Sequence, residues 1–260
     1  TSTGHQALKC NTTASDNTAY GYTALMTNTA SNNTAVGAAA LRSNTTGTSN
    51  QAFGCAALCA TTTGSYNTAV GFRTLCANTT GQRNVGLGNS ALGANTTGTC
   101  NTALGYLALY TNTTASYNVA TGYAALKDNT TGAGNTASGF YALAANTTAS
   151  SSTAVGSCAL QSNTTGTENT ATGRRALQLN TTGNYNTASG VYALKANTTA
   201  SSNAAFGSYS LYKNTTGCRG TAVGYAALQN STTASHNTAV GYSALNKNTT
   251  GGTNTAIGNL

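Results

Sequence analysis

The chain has 260 residues, only 5% of them charged, and its eleven Lys and Arg against three Asp and Glu leave a formal net charge of +8. No apolar run approaches the ~20 residues that a membrane-spanning helix needs. With two His and three acids scattered along the chain, composition excludes a site built on paired carboxylates or on a His-rich metal cluster.

One sentence is spelled over and over: Asn-Thr-Ala-x-Gly-x-x-Ala-Leu-x-x-Asn-Thr-Thr-Gly/Ala-x-x. Numbering the first Asn as position 1, the position-5 Gly recurs from Gly4 to Gly258 and the position-9 Leu from Leu8 to Leu245, every 17 residues. The steps Gly21 to Gly37 and Leu25 to Leu41 are one residue short. A short period that fills the chain sets the architecture, because each unit touches only its neighbours. Strict phasing also argues against disorder, which low-complexity composition would otherwise allow.

Within each copy the elements follow in order. Asn-Thr-Ala-x-Gly predicts a short strand with alternating faces, its position 4 often apolar as at Val36, Val70 and Ile257. The Gly supplies a positive φ or a close backbone approach at a corner. The next stretch, x-x-Ala-Leu-x-x, reads either as a second strand or as one helical turn, since Ala and Leu favour helix. Asn-Thr-Thr-Gly then predicts a turn, and the residue missing between Asn28 and Asn32 places that segment in a loop. Seventeen residues cannot hold a packed helix pair. The prediction is an all-β chain, a β-solenoid or β-roll of about fifteen coils forming a single array over residues 1–260.

In such a stack the Asn amides of positions 1 and 12 bond to the copies above and below, and the Leu column makes an apolar spine. One Leu and a variable apolar residue per coil form a thin core, so self-association as a trimer or filament is expected to cover the spine. Position 6 carries a broken aromatic ladder that includes Tyr22, Tyr106, Tyr123, Phe140, Tyr225 and Tyr242, and Lys9, Arg42, Lys127 and Lys195 share position 10. The basic edge reads as solubilisation or as attraction to acidic polymers; nucleic-acid binding would want denser cations. Neither end carries a recognisable cap or a signal peptide. The expectation is an excerpt of a longer fibre, a processed fragment, or a protomer whose ends meet other chains.

The unit Asn-Thr-Ala-Val-Gly, at Asn67 to Gly71 and again at Asn237 to Gly241, resembles the head repeats of trimeric autotransporter adhesins and the repetitive shafts of phage tail fibres and related bacterial surface proteins. The resemblance covers every repeat, although the family repeat is usually shorter and lacks the Asn-Thr-Thr-Gly turn. It implies parallel β-rolls that trimerise and a surface that binds host matrix or other cells, hence an extracellular or cell-surface location.

Chemistry in the sequence is sparse. His5, His236, Asp16, Asp128 and Glu168 offer no nucleophile–base set, so no enzyme, cofactor or metal is expected. The sequon Asn-Thr-Thr falls at Asn11, Asn44, Asn78, Asn95, Asn112, Asn129, Asn146, Asn163, Asn180, Asn197, Asn214 and Asn248, with Asn230-Ser231-Thr232 displaced by one and Asn32-Asn33-Thr34 a further case. These are candidate N-glycosylation sites that would sheathe one edge in sugar; the alternative is that Asn-Thr-Thr is only turn and ladder chemistry. Seven Cys show no framework spacing, but Cys59 and Cys76 share position 10 in adjacent coils. Stacked coils bring equivalent Cα atoms ~4.8 Å apart, within disulfide range, so this pair is either a bridge or two free thiols. Three functions remain: a structural or adhesive extracellular fibre, a glycan-bearing scaffold, and an ice-binding Thr-rich solenoid. The last is placed third because Thr12 and Thr13 are adjacent, and neighbours in a strand point to opposite faces.

Overall fold

A computed structural model of the protein describes residues 1–259, in two compact units divided after Thr131. In the first unit the strands are β1 (Ser2–Thr3), β2 (Thr18–Tyr20), β3 (Thr34–Val36), β4 (Gln51–Phe53), β5 (Thr68–Val70), β6 (Val85–Leu87), β7 (Thr102–Leu104) and β8 (Val119–Thr121). In the second they are β9 (Thr136–Ser138), β10 (Thr153–Val155), β11 (Thr170–Thr172), β12 (Thr187–Ser189), β13 (Ala204–Phe206), β14 (Thr221–Val223), β15 (Thr238–Val240) and β16 (Thr255–Ile257). Within each unit successive strands pair in parallel and in the register of the repeat, as in Thr153↔Thr170 and Val155↔Thr172. The chain is an all-β solenoid, and no helix among the described residues is long and apolar enough to cross a membrane.

The Ala-Leu segment is neither strand nor helix. Its backbone alternates hands: the position-9 leucines sit at φ of 48–53°, and position 7 is also left-handed, as at Thr23 (54°) and Arg73 (53°). Tight turns result, with Ala24 N–H donating to Gly21 O at 3.3 Å and Asn28 N–H to Leu25 O at 3.2 Å. The N–H groups between them bond sideways instead, Leu25 to Ala40 O of the next coil at 3.1 Å and Thr23 to His5 O of the previous one at 2.9 Å. Left-handed conformation costs an ordinary residue about 1–2 kcal/mol, and the coil-to-coil bonds hold it there. Most N–H groups are committed, either to a neighbouring coil or to the tight turns, which suits a chain of 260 residues without Pro.

The core lies inside each coil. The position-9 leucines from Leu25 to Leu194 are completely buried by their own chain, as are nearly all the alanines of positions 3 and 8. The apolar residues of position 4 point outward, because strand side chains alternate and Ala takes the inward slot; Leu87 is 51% exposed and Ile257 79%. This corrects the expected core composition. It also removes the need for a second chain to cover the spine.

The rest of the interior is polar. Asn33 and Asn44, at positions 1 and 12 of one coil, both donate Nδ2–H to the single carbonyl of Gly47, at 2.9 and 2.8 Å. The Asn84 and Asn95 amides converge likewise on Gly98 O. Most position-12 amides also bond along the stack, as Asn112 Nδ2 does to Asn95 Oδ1 at 2.8 Å, and most position-1 Oδ1 atoms accept the next coil's backbone N–H, as Asn84 Oδ1 does from Asn101 at 3.0 Å. The shortened coil keeps the strand register Thr18↔Thr34 by letting Asn28 Nδ2 reach Ala30 O, two residues on, at 2.6 Å. The deleted residue is therefore absorbed in the turn.

One irregular coil shows how tightly the small columns fit. Thr74 replaces the usual Ala of position 8, and the next coil has Gly86 in place of the position-3 Ala. A Cβ at Gly86 would lie 2.6 Å from Thr74 Cγ2, while Thr74 Oγ1 donates to Gly88 O at 2.6 Å. Gly86→Ala alone is expected to destabilise by roughly 1–3 kcal/mol through overpacking. In a Thr74→Ala background the same change should cost under ~1 kcal/mol, giving a coupling of about 1–2 kcal/mol. Urea denaturation of the four proteins measures it, and additive values would show that the two residues do not compensate one another.

Candidate functional surfaces

The described structure does not bring the two histidines and three acids together. His5 stacks on Tyr22 with centroids 5.5 Å apart, and His236 Nε2 lies 3.1 Å from Arg219 Nη1. Asp128 pairs with the adjacent Lys127 at 3.6 Å, Asp16 meets Ser15, and Glu168 stands exposed in another coil. Among the described residues no three His, Cys, Asp or Glu side chains gather as a metal site.

The sequons lie in turns, but their side chains face inward. Asn44, Asn78, Asn95, Asn112, Asn129, Asn146, Asn163, Asn180, Asn197 and Asn214 are 0% exposed. The nitrogen that would carry a glycan already donates inside the coil, as Asn163 Nδ2 does to Gly166 O at 2.9 Å and Asn146 Oδ1 at 3.1 Å, or Asn197 Nδ2 to Ala200 O and Asn180 Oδ1. A sugar there would displace one of those bonded hydrogens and need the stack opened to make room for it. Asn11, Asn230 and Asn248 are half-buried, and their amides bond to Ala14 O, Asn246 O and Gly251 O. Asn32 alone is exposed, at a left-handed φ of 66°. The Asn-Thr-Thr columns thus have a structural use that requires no modification, and the adjoining threonines share it: Thr45 Oγ1 donates to Thr62 O at 3.0 Å.

What reaches solvent is organised in rows. On the outer face of the strands, positions 2 and 4 stand side by side about 6.6 Å apart and repeat every ~4.8 Å along the stack. In the second unit these rows read Thr153 and Val155, Thr170 and Thr172, Thr187 and Ser189, Thr221 and Val223, Thr238 and Val240. The position-6 ladder is also a surface feature, with Tyr106 on Tyr123 at 5.2 Å and Tyr225 on Tyr242 at 5.4 Å, each ring about half exposed.

A denser strip lies on the second unit. Arg174 sits over the Tyr192 ring at 4.8 Å, with Arg175 at 5.9 Å and Lys195 at 5.6 Å, and Lys195 also lies 5.5 Å from the Tyr212 ring. Tyr209 packs on Tyr192 and Tyr212. Reading position 10 alone missed this strip, since it is built from positions 6, 7 and 10 of successive coils, which the turns bring to one edge. Cation–π contacts hold the guanidinium and ammonium groups in place.

In the first unit, Cys59 and Cys76 fall as adjacent rungs of the position-10 column. Their Sγ atoms are 2.8 Å apart, and Cys59 Sγ–H also reaches Cys76 O at 3.3 Å. Both are free thiols in the structure. The hydrogen bond from Cys59, assisted by the charge of Arg73 and opposed by burial, lowers the Cys76 thiol to about 6, while Cys59 is pushed above the usual thiol range by the same bond and by burial. Next to Cys76 the column is interrupted by Gly93, and a cleft of about 160 Å³ opens there between Phe72, Arg73, Cys76, Ser90 and Tyr110. Comparison of the chain with known protein families, with characterised proteins and with solved structures finds no match.

Proposed function

We propose that the chain is a structural and adhesive element, a segment of an extracellular fibre or stalk in the manner of the adhesin and phage-shaft repeats it resembles. The observation that carries this reading is the use of the interior. In each unit the Asn amides, Leu spine and small columns serve coil-to-coil bonding, so the protein is a scaffold whose rows of surface side chains repeat at the coil spacing. Such a scaffold resists bending and presents many weak contacts at once, which suits avidity. The Arg174, Arg175 and Lys195 strip on its tyrosine bed is the best-developed contact surface, and it is chemically matched to acidic polysaccharide. Sedimentation and negative-stain microscopy over a concentration series, with binding to immobilised heparin at two salt concentrations, test the proposal. Elongated particles that associate and bind in a salt-sensitive way are expected. A monomer at all concentrations that ignores the acidic matrix would remove it.

Ice binding is a second reading, and the outer strand face favours it. The threonines that matter are those of position 2, which share one face with the Thr, Ser or Val of position 4, rather than the adjacent pair in the turn. A two-row grid of hydroxyls and methyls can order water in a lattice. On this reading the purified protein shows thermal hysteresis, Thr170→Lys in the middle of the grid removes most of it, and Thr165→Lys on the exposed turn leaves it unchanged. Absence of hysteresis in the unaltered protein sinks the idea.

A further inference from the structure

We propose that Cys59 and Cys76, with the cleft at Gly93, form a peroxide-responsive dithiol site in which Cys76 is the attacking sulfur and Cys59 the resolving one. Three features of the geometry point there. The two sulfurs already touch across neighbouring coils, and both lie in an intermediate state of exposure. The column that would otherwise cover Cys76 is cut away at Gly93, where an added Cβ would meet the Tyr110 ring at 2.9 Å. The cleft so formed has aromatic walls, Phe72 and Tyr110, and Arg73 within it, which suits a small organic hydroperoxide with an apolar body. The charged and titratable groups facing the pair are Arg42 from the coil before Cys59, Arg73 from the turn of Cys76 and Tyr110 from beyond Gly93.

The chemistry balances with a hydroperoxide as the oxidant. The Cys76 thiolate attacks the terminal oxygen of R–O–O–H. An S–O bond forms, the O–O bond breaks, and the alkoxide leaves as alcohol with a proton from solvent. Cys59 then attacks the sulfenyl sulfur, the S–O bond breaks, and the hydroxide departs as water with the Cys59 proton. Two thiols and one hydroperoxide become one disulfide, one alcohol and one water. The product is a staple across two coils, whose Cα separation of ~4.8 Å is within the range a disulfide spans.

The test uses the full chain. At pH 6, iodoacetamide is expected to alkylate Cys76 about tenfold faster than the exposed Cys10 and Cys55. Roughly half of Cys76 is then thiolate against under ~1% of an ordinary thiol, and the lower pKa returns about a tenfold loss of nucleophilicity. Cumene hydroperoxide should give a Cys59–Cys76 disulfide, a loss of 2 hydrogens seen by peptide mapping; in Cys59→Ser the sulfenic acid on Cys76 should persist and be trapped by dimedone. Gly93→Leu, which fills the cleft once the Tyr110 ring has moved from its 2.9 Å approach, should slow the reaction with cumene hydroperoxide several-fold more than that with hydrogen peroxide. Equal alkylation of Cys76, Cys10 and Cys55, or a peroxide-treated protein of unchanged mass at both cysteines, overturns the proposal. Circular dichroism of each variant confirms that the stack is intact.

Discussion

Replacing Gly105 with alanine is expected to break the stack of the first unit, with a loss of roughly 3–5 kcal/mol from backbone strain and overpacking together. Gly105 has a φ of 137°, a region that side-chain-bearing residues rarely occupy, and a Cβ built on it would lie 2.4 Å from the carbonyl oxygen of Gly122 in the next coil. That oxygen is backbone within the same ladder, so it cannot step aside without its own bonds. In a quasi-one-dimensional array the damage is also interfacial, because each coil is held by its two neighbours. Against a total stability of about 5–15 kcal/mol for a domain, the change should lower the urea midpoint by a large fraction and reduce the strand signal at room temperature. Gly134→Asn is the comparison. Gly134 has a left-handed φ of 68° with only Ser151 Oγ, at 3.9 Å, near its Cβ direction, and Asn tolerates that conformation. Its effect should stay within about 0.5 kcal/mol. Similar losses from both substitutions would show that the close approach at position 5 is not what demands glycine.

The columns that could be read from the sequence are those whose chemistry leaves one choice. A Gly recurring where the chain turns, a Leu recurring where a spine must run, and an Asn recurring where amides stack point to a coil whatever its detailed path. The hand of the Ala-Leu segment was hidden for a physical reason. Leu is a poor left-handed residue, and Leu25 or Leu143 adopts a φ near 50° only because the next coil's carbonyl draws its N–H out. Local propensity contains none of that and points to helix. The two faces of the strand were likewise undecided. Period-2 alternation separates position 3 from position 4 but does not say which is inside, and Ala in the core with Val, Leu and Phe on the surface inverts the usual expectation. The sequons were open in another way, since Asn-x-Thr reads the same whether the amide faces solvent or closes a coil. Arg174 and Tyr192, 18 residues apart, and the cleft at Gly93 emerge only when different positions of successive coils are laid side by side.

Asn163→Ala is expected to be the most damaging polar substitution, costing about 2–4 kcal/mol, because it leaves buried acceptors without donors and opens a void. Gly166 O loses its donor from Asn163, and its coil has no second amide to replace it, since Ser152 stands at position 1 there. Asn146 Oδ1 loses this donor as well, and Asn180 Nδ2 loses one of its two acceptors, keeping Gly183 O. The converse change should stabilise. The ladder is interrupted at Thr61 and Ser231, and in both places the Oδ1 of the preceding rung, Asn44 or Asn214, is buried with no hydrogen-bond partner, as is Ser231 Oγ. Thr61→Asn and Ser231→Asn restore the amide that every neighbouring coil carries. Each should raise stability by about 1–2 kcal/mol, the cost of leaving such a group unsatisfied. Thermal or urea unfolding of the three variants measures the signs. If the alanine is mild and both asparagines are neutral, the amide ladder is incidental to the stack and the leucine spine alone holds it. If the signs are as expected, the Asn-Thr-Thr motif is explained by the interior it builds, and a glycan on Asn163 would replace one of its two donor hydrogens and leave either Gly166 O or Asn146 Oδ1 without it.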